Sequence, residues 1–162
     1  MEYIIQIVIS FMATMCFGVI FNAPIKILPW CGVAGSIGWM THHTLSHNGI
    51  DAVQSSFLAA FFVSVVAHFL ARKFKMPMII FSVCGIISLV PGGTAYNSMR
   101  SIIELNYMAG LEYAMRAFMI SGAVAMGLVF AEVIVQLVLR SMRKGRTSIE
   151  SFIKIKKPRR IK

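Results

Sequence analysis

Charge is what this sequence lacks over most of its length. Only 14% of the 162 residues are charged, and ten of the sixteen Lys and Arg lie between Arg140 and Lys162, so the formal charge of +10 belongs to a tail. Cysteine is scarce as well. Cys16, Cys31 and Cys84 fall inside apolar stretches with no C-x-x-C pair, which excludes a disulfide scaffold and leaves three small buried hydrophobes. No Ser-His-Asp set, H-E-x-x-H or acidic metal-holding motif is present, so the sequence calls for no enzyme chemistry, cofactor or metal. A basic n-region and an A-x-A-like cleavage site are also missing, and the first apolar run is expected to stay as a spanning helix.

What is present is apolar residue in long blocks: 57% hydrophobic content and a mean hydropathy of +0.75 place the chain in a membrane. A helix crosses the hydrocarbon core with about 20 residues. That length divides the chain into about five transmembrane helices at 3–21, 28–46, 52–71, 76–96 and 112–139. The second, rich in glycine and ending in histidines, is the weakest and reads as short, tilted or partly re-entrant. The fold class expected is thus an all-α integral membrane protein with Pro/Gly-broken helices, a transmembrane domain over 1–140 and a basic tail over 141–162.

Orientation follows from the cations. Lys26, then Arg72, Lys73 and Lys75, then the tail occupy alternate loops and should all be cytoplasmic, giving an N-out/C-in topology in a bacterial-type inner membrane. Directly after an apolar span, the basic tail reads as an anchor on anionic lipid headgroups; a nucleic-acid arm is the reading set aside. Residues 97–111 alternate apolar and polar positions as an amphipathic helix lying in the outer interface, with Arg100 and Glu104 spaced to pair.

Two interruptions stand out. Pro91, Gly92 and Gly93 end the fourth apolar run and are followed by Tyr96 and Asn97; Asn22 and Pro24 end the first. In lipid, broken backbone is tolerated only where protein or a water-filled cavity surrounds it. The breaks therefore mark interior solute contacts, the uncoiled ends presenting helix dipoles to a carboxylate. The plainer alternative at Pro91 is a simple turn where the fourth helix finishes near Val90.

The stretches "FGVIFNAPIKILPWCGVAGSIGW" at 17–39 and "GIISLVPGGTAYNSM" at 85–99 resemble the two signature stretches of the small subunit in the split threonine/serine exporter family. The pattern falls on Asn22, Pro24, Trp30, Gly35, Gly38, Pro91, Gly92 and Tyr96. The resemblance implies an exporter of small hydrophilic metabolites, threonine and serine in fused forms and succinate in a split form, assembled with a larger homologous membrane subunit. Ser88 departs from it, since many relatives carry proline there; its absence is expected to let the fourth helix continue for one more turn.

Within the spans, Glu132 reads as a proton-coupling or cation-binding carboxylate, or else as a residue of a partner interface. His68, one turn before Arg72, is a second proton-coupling candidate or an interfacial hydrogen-bond donor. His42, His43 and His47 read as an acid-responsive outer cluster, short of a third ligand type for zinc. Gly32, Gly35, Gly38, Ala109, Gly110, Gly122 and Gly127 allow close helix approach, and Gln54, Ser55 and Ser56 line an outer vestibule or cap the third helix. Substrate contacts are expected at Asn22, Pro24, Pro91, Gly92, Gly93, Tyr96 and Asn97. The sequence reading is an exporter subunit working in a homo- or hetero-oligomer; its rival is a structural or regulatory subunit with no solute site of its own.

Overall fold

The computed structural model describes the backbone of residues 2–155 and the side chains of 3–141. Among the described residues all regular structure is helical: α1 (Glu2–Ile20), α2 (Leu28–His47), α3 (Ala52–Phe74), α4 (Met78–Ile86), α5 (Gly92–Ile103) and α6 (Tyr107–Ile155), with 3-10 turns at Ile25–Ile27 and Ile87–Leu89. Three of these, α1, α3 and the Tyr107–Ser141 part of α6, are long and apolar enough to cross a membrane. A fourth crossing arises if α4 and α5, bent by 47° at their break, count as one.

Four of the chain reversals are closed by one device. After α1, Asn22 turns left-handed at φ 54°, its N–H bonds the carbonyl of Val19 at 2.9 Å and that of Ala23 bonds Gly18 at 2.9 Å. Gly49 after α2 (φ 83°), Lys75 after α3 (φ 54°) and Leu105 after α5 (φ 63°) hold the same position, with Ile50, Met76 and Asn106 donating back across the last turn. This pairing satisfies carbonyls that a helix end otherwise leaves bare. Pro24 and Pro77 follow two of these reversals, where a ring without N–H cannot prolong the helix.

The break between α4 and α5 differs in kind. A 3-10 turn carries the helix through Ser88 to Leu89, so the extra turn expected there forms, but in the tighter winding. Val90 is extended, the N–H of Gly92 closes a tight turn on the carbonyl of Val90 at 2.7 Å, and Pro91 stands at the start of α5 with no side-chain cap. The apolar run read as one span over 76–96 is therefore two helices. The amphipathic helix is Gly92–Ile103 and not 97–111, because the Leu105 reversal divides the latter. The Arg100–Glu104 pair forms at 2.8 Å on its exposed face.

α3 and α6 run parallel: Ala52 and Ser56 near the start of one border the same hollow as Arg116 and Ile120 of the other, and further along Phe57 meets Phe130 edge-on, centroids 6.0 Å apart. All the described cations except Arg100 and Arg116 collect at the far end, where Lys73 Nζ lies 4.6 Å above the Trp30 ring. We term this the basic end and the other the Pro91 end. Small residues fill the seams. Ala23, Cys31, Ala34, Ala67, Ala71 and Cys84 pack around Phe81 toward the basic end, and Ala59, Ala60, Val63, Leu89 and Val124 form a second cluster. Side chains this small allow the close backbone approach on which helix association in lipid depends. Buried hydroxyls turn back on their own helices: Thr14 donates to the Ser10 carbonyl at 2.7 Å, Ser36 to Gly32 at 3.0 Å and Ser56 to Ala52 at 2.7 Å.

The helix of α6 continues past Arg140 to Ile155. The side chains of 142–162, which hold nearly all the basic tail expected to meet lipid headgroups, lie outside the described residues.

Candidate functional site

A cavity of about 350 Å³ opens beside the α4–α5 break. Its floor is the break itself, Ser88 to Thr94; Trp39 and His42 of α2, Ala52 and Ser56 of α3, and Arg116 and Ile120 of α6 form the walls. Gly92 and Gly93 line it with no heavy atom within 4 Å of where a Cβ would sit, so what these glycines supply is open space. The first N–H groups of α5 point from the same uncapped end, and such a terminus carries a partial positive charge.

Across Trp39 and Ser88 lies a second hollow of about 340 Å³, bordered by Gln6, Ser10 and Ala13 of α1. The two share a polar hinge. Trp39 donates its indole N–H to Gln6 Oε1 at 3.2 Å and stacks on His42 at 5.8 Å; Ser88 Oγ lies 3.3 Å from Thr14 Oγ1 and 3.4 Å from Ser10 Oγ. Hydroxyls that can each donate and accept, two on α1 and one on the 3-10 turn after α4, suit a solute with its own hydroxyl.

Arg116 brings the charge. Among the described residues the sole ion pair is Arg100–Glu104, so the Arg116 guanidinium has no carboxylate within 4.0 Å. It faces the cavity on one side and, on the other, a hollow of about 660 Å³ bordered by Asp51 and Glu112. A planar cation beside two carboxylates and several hydroxyls offers complementary groups to every polar part of a hydroxy amino acid. Arg116 is not among the candidates that the sequence singles out.

Of the residues expected to touch solute, Pro91, Gly92 and Gly93 line the cavity. Tyr96 and Asn97 are exposed on α5 and are not among its walls. Asn22 and Pro24 sit at the basic end in the α1 reversal, which accounts for an asparagine at a left-handed position. His68, half-buried on α3, has Nδ1 3.2 Å from the Ser64 carbonyl, a geometry that makes this nitrogen the donor. Glu132 is exposed on α6, where Gln136 Nε2 donates to its Oε1 at 3.2 Å. Ser55 is buried and bonds the Asp51 carbonyl at 2.9 Å, while the Asp51 carboxylate caps α3 through the Val53 N–H at 3.4 Å. In the histidine cluster, His43 stacks on His47 at 6.4 Å and meets Tyr3 edge-on at 5.3 Å. No group of three or more His, Cys, Asp or Glu converges on a metal position among the described residues.

Three helices long and apolar enough to span, with a fourth crossing if α4 and α5 count as one, point to a multi-pass membrane protein. The family model described as threonine/serine exporter, ThrE, matches residues 6–134, and the chain belongs to that family. The match takes in every wall of the cavity and the whole α4–α5 break. It is a family of transporters, not of enzymes. No solved structure matches the chain.

Proposed function

We propose that this chain is the small subunit of a split exporter that moves threonine, serine or a dicarboxylate such as succinate out of the cell. It works with a larger homologous membrane subunit in a bacterial-type inner membrane. The observation that carries the reading is the cavity at the α4–α5 break. There Arg116 and the N-terminus of α5 take a carboxylate and Ser56, Ser88 and Thr94 take a hydroxyl, while Asp51 and Glu112, in the adjoining hollow on the other side of Arg116, offer carboxylates to an ammonium group as it approaches.

The cations of the basic end support an N-out/C-in insertion with five passes, α2 included. In that orientation the cavity faces outward and releases solute, Asn22 and Pro24 stand at the cytoplasmic side, and His68 lies between as the interior group suited to carry a proton. Glu132 faces away from this route. That outward position favours, for this one residue, the rival reading of a contact with a neighbouring subunit.

The test is efflux of labelled serine, threonine and succinate from cells expressing this chain with and without the larger subunit. Efflux is expected only with both, and Arg116→Gln should raise the solute concentration needed for half-maximal efflux by about tenfold or more, the scale of one charge-assisted hydrogen bond. Unchanged efflux in Arg116→Gln, with the complex intact, would remove the cavity from the pathway.

A further inference from the structure

A groove of about 680 Å³ runs beside the α3–α6 contact. Phe57 and Leu58 of α3 line it with Met119, Gly122, Met126 and Phe130 of α6, and Gln54 is its one polar wall. Leu58, Met126 and Phe130 are exposed, so the groove opens away from the bundle. Gly122 keeps it deep, since a Cβ there would meet nothing within 4 Å. Between Met119 and Phe130 it follows α6 for about 16 Å, at 1.5 Å per residue. At its inner end Phe57 meets Phe130 edge-on.

Its other end, toward the Pro91 end of the bundle, is charged. Val53 and Met119 border both this groove and the hollow that holds Asp51, Glu112 and Arg116, so the two are continuous. Asp51 caps the spanning helix α3, which sets the hollow where the hydrocarbon core gives way to headgroups. Glu112 and Arg116 stand four residues apart in the order that favours pairing, yet no ion pair joins them. Among the described residues, charges of both signs thus stand unpaired at the mouth of an apolar groove.

We propose that this groove binds an aminophospholipid of the phosphoethanolamine class. Its phosphate takes the Arg116 guanidinium, its ammonium takes Glu112 and the free oxygen of Asp51, and one acyl chain lies along Phe57 and Gly122. The length agrees. An acyl chain reaches the bilayer midplane, half of a core about 30 Å thick, which is the depth at which the groove ends; a spanning protein helix would run on past Phe130. Other headgroups lack one part: phosphatidylglycerol offers no cation to the carboxylates, and a choline has no N–H to donate. Arg116 has five N–H donors, enough to serve this hollow and the cavity on its other side. Occupancy is read as binding and not as efflux, so the proposal stands or falls apart from the solute reading.

Photolabelling of the full chain tests it, with phosphatidylethanolamine bearing a diazirine midway along one acyl chain. In membranes of the expressing cells, label is expected on peptides covering 57–58 and 119–130 well above that at Ile9, exposed on α1. In phosphatidylcholine vesicles, unlabelled phosphatidylethanolamine should displace the probe about tenfold better than phosphatidylglycerol does, the scale of one charge-assisted hydrogen bond. Glu112→Gln should erase that preference, and Gly122→Leu, which fills the groove, should cut the groove label about tenfold and leave the Ile9 label unchanged. Equal labelling of α1 and the groove, equal displacement by the two lipids, or an undiminished label in Gly122→Leu would overturn the proposal. So would a groove free of label in cell membranes, the result expected if a protein helix covers it. The lipid comparison needs no variant, and melting temperatures show whether each variant is folded.

Discussion

A Cβ placed on Gly127 of α6 would stand 2.5 Å from the carbonyl oxygen of Phe57 and 3.1 Å from the Cβ of Ala60, both on α3. The obstacle is helical backbone, which cannot rotate aside as a side chain can. Gly127→Ala should therefore push the two helices apart and destabilise the protein by about 1–3 kcal/mol, the usual range for overpacking. A lower melting temperature in detergent checks this. An unchanged one would mean that the α3–α6 contact is looser than the structure shows.

Gly92 and Gly93 should behave in the opposite way. Alanine there meets nothing and is the better helix former, by up to about 1 kcal/mol in a helix interior. Gly92→Ala and Gly93→Ala are expected to match or exceed the wild-type melting temperature while efflux falls, because each methyl enters the cavity. Loss of stability together with transport would show that these glycines serve backbone conformation instead.

Gly35 and Thr14 make a paired case. A Cβ on Gly35 would overlap the Thr14 side chain, whose hydroxyl is committed to the Ser10 carbonyl and lies beside Ser88. Gly35→Ala should cost about 1–3 kcal/mol, and adding Thr14→Ala should return part of it, since the methyl and hydroxyl in the way are gone. Additive losses across the four melting curves would deny the contact.

Leu105 is a leucine in a left-handed conformation, at φ 63°, in a reversal that glycine would adopt without strain. Leu105→Gly is expected to stabilise the protein by about 1 kcal/mol and to leave efflux unchanged. A fall in melting temperature would show that the exposed leucine side chain packs against something in the assembly.

The apolar blocks made three helices legible in the sequence almost to their ends: 3–21, 28–46 and 52–71 became Glu2–Ile20, Leu28–His47 and Ala52–Phe74. The break at Pro91 was legible too, because a missing N–H and two glycines are local facts. The reversal at Leu105 was not. Nothing in Glu104-Leu105-Asn106 announces a turn, and the left-handed leucine is imposed by α5 packing back on α6, where Ser98 donates to the Gly110 carbonyl at 2.8 Å. Arg116 escaped notice for a related reason. Its place in the cavity depends on α6 lying parallel to α3, a tertiary fact invisible in the spacing of charges. The outward direction of Glu132 depends on the same packing, since contact with α3 fixes which face of α6 is covered.

The left-handed reversals at Asn22 and Lys75 make the basic end a rigid base, with both loops locked by hydrogen bonds across the last helical turn. The Pro91 joint is closed only locally, by the Gly92–Val90 bond and by Thr94 Oγ1 donating to the Pro91 carbonyl at 2.9 Å, and the start of α5 has no side-chain cap. Compliance is expected there first, with Val90 and Pro91 as the hinge and the Ser98–Gly110 bond tethering the far end of α5 to α6. Amide exchange should accordingly reach Gly93 and Thr94 long before Ala23 or Met76.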